Sequence, residues 1–370
     1  MIEDIIFLGA GASRAEGSPL QADLFRDYFK LCKPNIKSKI GEKTLYDRMK
    51  KFFNDFFGID VDRDNLDNTS FPTFEEAIGV LEIAIKREET FRDQVSGSGN
   101  LDIEIQHYRQ SLIFLIGTVL ERTLREKATH HRTLVQQLQQ QKRLSKTAFI
   151  SVNYEILIDN ALMEYENIDY GVLTAKSQNR YSEGLLIPNK EPIRLYKLHG
   201  SLNWLYCPTC ISLTITPFTK SGAELVREPK NCEKCMGRVV PIIVPPTFFK
   251  VMSNYFLEQV WHKTDELLKT AKRIIFCGYS FPDADIHIKY LLKRAELYNR
   301  EGFKVYAINQ HPSKSPEESN NETSRYKRFF KNKKSVHYLN CSFEKFCESG
   351  KPDMPEYELD KEEKNHNDPV

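Results

Sequence analysis

The sequence predicts an α/β protein built on a parallel sheet, with a large helical insertion and a small cysteine-bearing module. Three observations predict it. Short continuous apolar runs, such as Ile5-Ile6-Phe7-Leu8, recur where strands buried on both faces are expected. Helix-period segments alternate with such runs after Thr147 but displace them between about Gln21 and Ser145. Four of the eight cysteines fall in two tight pairs.

Composition sets outer bounds. A chain of 370 residues suits one large α/β unit with insertions, or two domains. An apolar share of 40% and an aromatic share of 11% supply a sizeable core and exclude global disorder. Lysine and arginine number 53 against 51 acids, and this balance speaks against a dedicated nucleic-acid binder. The longest apolar run, Ser111 to Leu120, is about half of the ~20 residues a membrane span needs. Met1-Ile2-Glu3-Asp4 puts acids where a signal peptide wants positive charge, so a cytoplasmic chain without membrane contact is expected.

The elements follow in order. Asp4 to Leu8 reads as a buried strand ending in Gly9-Ala10-Gly11-Ala12-Ser13, then Gly17-Ser18-Pro19. Leu45, Met49, Phe52, Phe53 and Phe56 recur at helical spacing, as do Phe74, Ala77, Ile78 and Leu81, and Ile105, Leu112, Leu115, Ile116 and Val119. Strands are expected at Ala148 to Val152, Ile193 to Leu198, Arg273 to Cys277, Phe303 to Ile308 and Ser335 to Leu339, with a further apolar run at Val239 to Val244. Helices are expected at Glu155 to Tyr165, Asn254 to Thr270, about Ala284 to Leu297, and a turn at Ser342 to Glu348. His311 to Ser324 is polar, carries two prolines and reads as a loop. Charge dominates from Lys351 on, which predicts a frayed tail. The sum is a Rossmann-like parallel sheet interrupted by helices.

Several residues carry chemistry. Gly9-x-Gly11 directly follows a strand, where glycine lets backbone approach a pyrophosphate; position 14 is Arg14, so the third glycine of the G-x-G-x-x-G fingerprint is missing and a plain tight turn remains open. Arg14 serves a phosphate or lies on the surface. Cys207-x-x-Cys210 and Cys232-x-x-Cys235, 21 residues apart, have the form of a closed tetrahedral zinc site, structural rather than catalytic. The alternative is two unrelated redox or buried pairs. Cys32, Cys277, Cys341 and Cys347 are expected to be buried. Three strands end in polar groups, Ser151-Val152-Asn153-Tyr154, Lys197-Leu198-His199-Gly200-Ser201 and Gly278-Tyr279-Ser280. In an open α/β sheet such ends converge on one crevice. His199 is then a general base or a structural histidine, and Asn153 a ligand or a turn former. Asp283 and Asp285 cap the helix that follows and favour its dipole, or take part in catalysis. Asn309 bonds a ribose hydroxyl or turns the chain, Trp204 anchors the cysteine module, and His130 and His131 are expected to be exposed.

Taken in order, these segments resemble the sirtuin family of NAD-consuming proteins. Gly9-Ala10-Gly11-Ala12-Ser13 with Gly17-Ser18-Pro19 resembles its G-A-G-x-S…G-x-P loop, and Ser151-Val152-Asn153-Tyr154 its T-x-N or Q-N motif. Lys197-Leu198-His199-Gly200-Ser201 matches its H-G motif, the four cysteines follow, and Gly278-Tyr279-Ser280 resembles its G-x-S strand end. The resemblance covers residues 1–20 and 145–350, the core of a nucleotide-binding domain spanning 1–350, with 21–144 as a helical insertion, 201–240 as the zinc module and 351–370 as a polar tail. It implies that NAD is bound by Gly9, Ala10, Gly11, Ala12, Ser13, Gly17, Pro19, Gly278, Ser280 and Asn309. It also implies that Asn153 holds the nicotinamide ribose or a water beside it, that His199 is the general base, and that Cys207, Cys210, Cys232 and Cys235 hold structural zinc.

The departures carry information. Deacylating sirtuins follow the glycine loop with Phe-Arg, where Leu20-Gln21-Ala22 stands here. They also carry a Phe-Gly-Glu segment that pairs with the acyl-lysine peptide, where Val244-Pro245-Pro246-Thr247 stands here. Two prolines remove backbone donors that an added peptide strand needs. Water is therefore the expected acceptor. The insertion and the Gly278-Tyr279-Ser280-Phe281-Pro282-Asp283 run resemble the family's bacterial antiviral branch, which hydrolyses NAD to ADP-ribose and nicotinamide. Stand-alone chains of this size resemble those paired with a HerA-type hexameric ATPase, and a homo-oligomer is expected. A protein deacylase and a non-catalytic NAD or ADP-ribose sensor are the alternatives.

Overall fold

The structure, a computed structural model, describes residues 2–91, 101–125, 129–165, 167–172, 191–216, 230–244, 254–283, 285–309 and 315–348. Five-residue strands of continuous apolar character form its centre. β1 (Asp4–Leu8), β2 (Thr147–Ser151), β4 (Ile193–Lys197), β8 (Arg273–Cys277) and β9 (Lys304–Ile308) join the short β3 (Ile168–Asp169) and β10 (Val336–Leu339) in one sheet, order β10-β9-β8-β1-β2-β4-β3. Every pairing in it is parallel. A parallel sheet must be covered on both faces. Here α6 (His130–Gln140), α7 (Leu157–Met163), α8 (Tyr255–Lys269), α9 (Ile286–Tyr298) and α11 (Phe343–Glu348) contribute buried side chains to its core. No helix among the described residues is long and apolar enough to cross a membrane.

The chain between β1 and β2 builds a second core. After the short α1 (Ala10–Arg14) come α2 (Leu24–Leu31), α3 (Ile40–Phe57), α4 (Phe74–Arg87) and α5 (Leu101–Arg125). Tyr28, Met49, Phe52, Phe53, Ala77, Ile78, Leu81, Leu112 and Leu115 pack there. The buried stripes of these helices pack against one another and against Leu202 and Ile243. Thr73 caps α4 through a capping box with Glu76, which explains why that helix begins after Pro72.

Two differences from the sequence expectations have physical reasons, and a third is plain. His311 to Ser324 does not form a loop throughout: α10 (Pro316–Phe329) occupies most of it, with 310–314 outside the described residues. Pro316 stands in its first turn and Ser315 and Glu318 form a capping box, so the proline starts a helix instead of breaking one. His131 is fully buried, not exposed, because Glu16 binds it. Cys32 is only half-buried, while Cys277, Cys341 and Cys347 are buried. The Val244 to Thr247 run lies outside the described residues beyond Val244, and so does the tail from Lys351.

The cysteine pairs hang on a separate antiparallel sheet, order β6-β5-β7, made of β5 (Gly200–Cys207), β6 (Ser212–Ile215) and β7 (Val240–Ile243). Trp204 on β5 is fully buried, edge-on to Tyr170 at 5.8 Å. It ties this sheet to the main core.

Candidate active site

Register decides which side chains meet. Ser151 pairs with Lys197 across β2 and β4, so Asn153 and His199 each leave the sheet two residues beyond a matched pair. Leu8 pairs with Cys277 and Cys277 with Ile308, which brings Gly9, Gly278 and Asn309 out at the same edge. A cavity of about 950 Å³ opens over these ends. Ala10, Gly11, Ser13, Pro19, Asn153, His199, Gly278, Ser280 and Asn309 line it; Gly9, Ala12 and Gly17 are not among its lining residues. The insertion supplies another wall through Leu24, Phe74, Glu75, Ile116 and Leu120.

The glycines of the first turn act through close packing. A Cβ on Gly9 would lie 2.6 Å from the Gly278 carbonyl oxygen. Gly278 has φ +62°, and a Cβ there would lie 2.1 Å from the Ala12 nitrogen. Only glycine allows this approach. The Gly9, Gly11 and Ala12 amides donate to Cys277, Gly278 and Gly9 carbonyls at 2.9, 2.8 and 3.0 Å. They are engaged inside the protein and shape the pocket. Arg14 lies 3.9 Å from Asp23 in an ion pair and does not line the cavity.

Asn153 is 8% exposed, and its Nδ2 donates to the Gly9 carbonyl at 2.9 Å and to Ser13 Oγ at 2.8 Å. Ser13 Oγ in turn donates to Glu155 Oε1 at 2.5 Å, and the other oxygen of Glu155 accepts from the Leu157 amide at 2.6 Å. The direction is forced. A carboxylate only accepts, so the single hydroxyl proton of Ser13 points to it and Ser13 must accept from Asn153. Both amide hydrogens of Asn153 are thereby committed, and its carbonyl oxygen is the group left to face a ligand. Beneath this turn, buried Lys197 donates to the Glu155 carbonyl and pairs with Asp159 at 3.0 Å, and Tyr170 donates to Asp159 at 2.8 Å.

His199 is 3% exposed. Its carbonyl accepts from the Val244 amide at 2.9 Å, and the Tyr154 ring lies 6.2 Å away, centroid to centroid. Its Nε2 stands 4.0 Å from Asp285 Oδ1. Asp285 lies at the start of α9 but caps nothing with its side chain; its Oδ2 accepts from Tyr279 at 2.8 Å. Asp283 is exposed and pairs with Lys289 at 2.7 Å and Arg328 at 3.5 Å. The expected capping by these two aspartates is therefore absent. Burial, and after it the charge of Asp285, push the phenols of Tyr154 and Tyr279 well above their ordinary range, so both remain hydrogen-bond donors. At the other end Asn309 Nδ2 donates to buried Glu322, with Arg325 and Arg328 of α10 nearby along the wall. The sequence does not single out Tyr154 or Glu155 as site residues, because their partners Val244 and Ser13 lie 90 and 142 positions away. Glu322 falls in a stretch that reads as a loop, and Arg325 directly follows it.

The SIR2-like domain family model matches residues 147–339, from β2 to β10. The chain belongs to that family. The matched stretch holds Asn153, His199, the four paired cysteines, Gly278 and Asn309, and leaves out the glycine turn and the helical insertion. No curated protein sequence matches the chain. Among solved structures similar to it is Sir2Tm bound to a propionylated peptide, at 13% identity, covering 96% of this chain and 94% of that one, with a TM-score of 0.45. Another is Sir2 with a p53 peptide and NAD+, at 13% identity, the same coverage and a TM-score of 0.42.

Away from the cavity, the sulfurs of Cys207, Cys210, Cys232 and Cys235 lie within 4.8 Å of one another and form a set that could hold a metal ion. Hydrogen bonds from Ser212 and from the Lys234 and Cys235 amides hold the Cys232 thiol down to about 6. The Gly237 amide favours a Cys235 thiolate as well, yet the neighbouring sulfurs of Cys207, Cys210 and Cys232 push it up to about 12. Four sulfurs this close cannot all be anionic without a cation among them.

Proposed function

We propose that this chain is an NAD glycohydrolase, cleaving NAD to ADP-ribose and nicotinamide. The observation that carries this reading is the convergence of Asn153 and His199, from neighbouring parallel strands, on one large cavity beside the glycine turn. The reaction breaks the bond between ribose C1′ and the nicotinamide nitrogen, whose electron pair leaves with the ring. Water adds its oxygen to C1′ and gives a proton to His199, which passes it to solvent. General-base help of this kind is worth ~10²–10⁴ in rate. The Asn153 carbonyl, aimed by Ser13 and Glu155, accepts a hydrogen bond from that water or from a ribose hydroxyl. Asn309 meets the adenosine ribose, and the cavity wall formed by the insertion shelters the nicotinamide. We assign the four cysteines to zinc, because an all-sulfur tetrahedral set suits that ion and leaves no open position for catalysis.

A wider role is part of the proposal: NAD depletion in bacterial antiphage defence, in the cytoplasm, as a homo-oligomer with a HerA-type ATPase. The sequence resemblance described above supports it. A depleting enzyme needs a gate, which an assembly supplies.

The test is to incubate the purified chain with NAD, with and without such an ATPase, and to separate the products. Nicotinamide and ADP-ribose in equal amounts from wild type, lowered at least about 100-fold in His199→Ala, are expected. Equal turnover by both would remove the mechanism. O-acyl-ADP-ribose formed only with an acylated peptide would make the chain a deacylase.

A further inference from the structure

We propose that Asp285 is the positioning partner of His199, forming with Tyr279 a buried triad that sets the imidazole's orientation and favours its protonated form. The proposal rests on the reading of His199 as general base. Three observations carry it. Asp285 is 4% exposed although it stands at a helix start, where an aspartate ordinarily turns to its own backbone amides; this one does not. One of its oxygens is fixed by the Tyr279 hydroxyl at 2.8 Å, and the other faces His199 Nε2 at 4.0 Å. Tyr279 is itself held: its carbonyl accepts from the Tyr326 hydroxyl at 2.7 Å, and Phe281, two residues on, is fully buried with a left-handed φ of 54°. A bulky residue adopts that φ only where its surroundings dictate it, so the backbone from Tyr279 to Phe281 is held in place.

A carboxylate buried beside an imidazole favours the imidazolium, the species a general base becomes once it has taken its proton. With Nε2 turned to Asp285, the other ring nitrogen, Nδ1, is the one that takes the proton from water, and both side chains line the cavity. The titratable groups on the elements that share this part of the cavity with His199 are Asp285 and Tyr279 from the segment between β8 and α9, Tyr154 and Glu155 from the turn after β2, and Glu75 from α4, with Glu82 of α4 acting on Tyr154. Among these Asp285 is the one with an ion-pair distance to His199. Tyr154 and Tyr279 stay neutral, and Glu155 is taken up by Ser13 and the Leu157 amide, so Asp285 is the partner at ion-pair distance whose removal is tested.

The experiment uses full-length chain, in its activated complex for turnover, and compares wild type, Asp285→Asn, Asp285→Glu and Tyr279→Phe. The imidazole of His199 is titrated by NMR, its signal identified by loss in His199→Ala. This readout does not require turnover. In Asp285→Asn the His199 pKa falls by about one unit or more. The kcat for NAD falls ~10–100-fold with KM little changed, the scale typical of outer partners that orient a reacting group. The acid limb of the pH–rate profile moves to lower pH, because an imidazole without its anionic neighbour gives up its proton more readily. Asp285→Glu recovers part of both effects, and Tyr279→Phe moves them by less. An unshifted His199 titration and an unmoved acid limb in a folded Asp285→Asn protein overturn the proposal, even where its rate is low. If His199→Ala is fully active, the base assignment itself fails. If His199→Ala is inactive while Asp285→Asn behaves as wild type, only Asp285 is misassigned.

Discussion

Ser13 shows how a single hydroxyl orders a reacting group. It accepts from Asn153 because its own proton is taken by Glu155, and so the amide can sit in one orientation only. Replacing Ser13 by Ala removes one of the two acceptors that hold the carboxamide and leaves the Gly9 carbonyl alone to orient it. NAD hydrolysis by Ser13→Ala should fall ~10-fold or more while the melting temperature changes little, as judged by steady-state rates beside thermal unfolding. Loss of fold with loss of rate would make Ser13 structural instead. Asn153 and His199 were legible in the sequence because polar residues just beyond apolar strands end up at one sheet edge. Asp285 was misread as a cap because its neighbours in sequence form a helix start, whereas Tyr279 and His199 reach it through the fold. His131 was misread for the same reason, its partner Glu16 lying 115 residues away.

That Glu16 contact belongs to the scale of elements, since it fastens α6 to the glycine turn. Glu16 accepts from the Thr129, His130 and His131 amides at 3.1, 2.7 and 3.1 Å and from the His131 ring at 3.2 Å. Burial works against its charge, yet the hydrogen bonds from His131 and Thr129 hold its carboxyl down to about 2, from 4.5. A depressed carboxyl stabilises the fold above the unfolded value and loses that contribution as pH falls from about 4.5 toward about 2. Glu16→Gln should therefore be less stable than wild type by ~1–2 kcal/mol at neutral pH, with the gap closing as the solution is acidified through that window. Denaturant unfolding at several pH values measures it, and a gap that does not change with pH would contradict the assignment. Strands were the most legible elements, because a buried parallel strand has no polar face to hide. α10 escaped notice because its composition is polar almost throughout, and only Tyr326 and Glu322 are buried. The small antiparallel sheet escaped because β5 follows His199 directly, through Gly200 at φ +79°, with no turn sequence to announce it.

Across the described residues, two apolar cores flank the cavity, and the sheet edge between them aligns residues from the first strand to the last helices. The cysteine module lies outside that cavity, so the zinc proposed for it should matter to stability and not to chemistry. Cys210→Ser should bind less zinc by elemental analysis and melt several degrees lower, while residual folded protein keeps the KM for NAD. Full zinc content in that variant would refute a four-sulfur site. The central claim is spatial: one dinucleotide lies between the Asn153 carboxamide and the His199 imidazole. The measurement that tests it most directly is a crystal structure of the His199→Ala chain with NAD. The nicotinamide ribose is expected beside Asn153, facing the space the imidazole vacated, with the adenosine ribose toward Asn309. NAD seated elsewhere, or with its nicotinamide turned out to solvent, would contradict it.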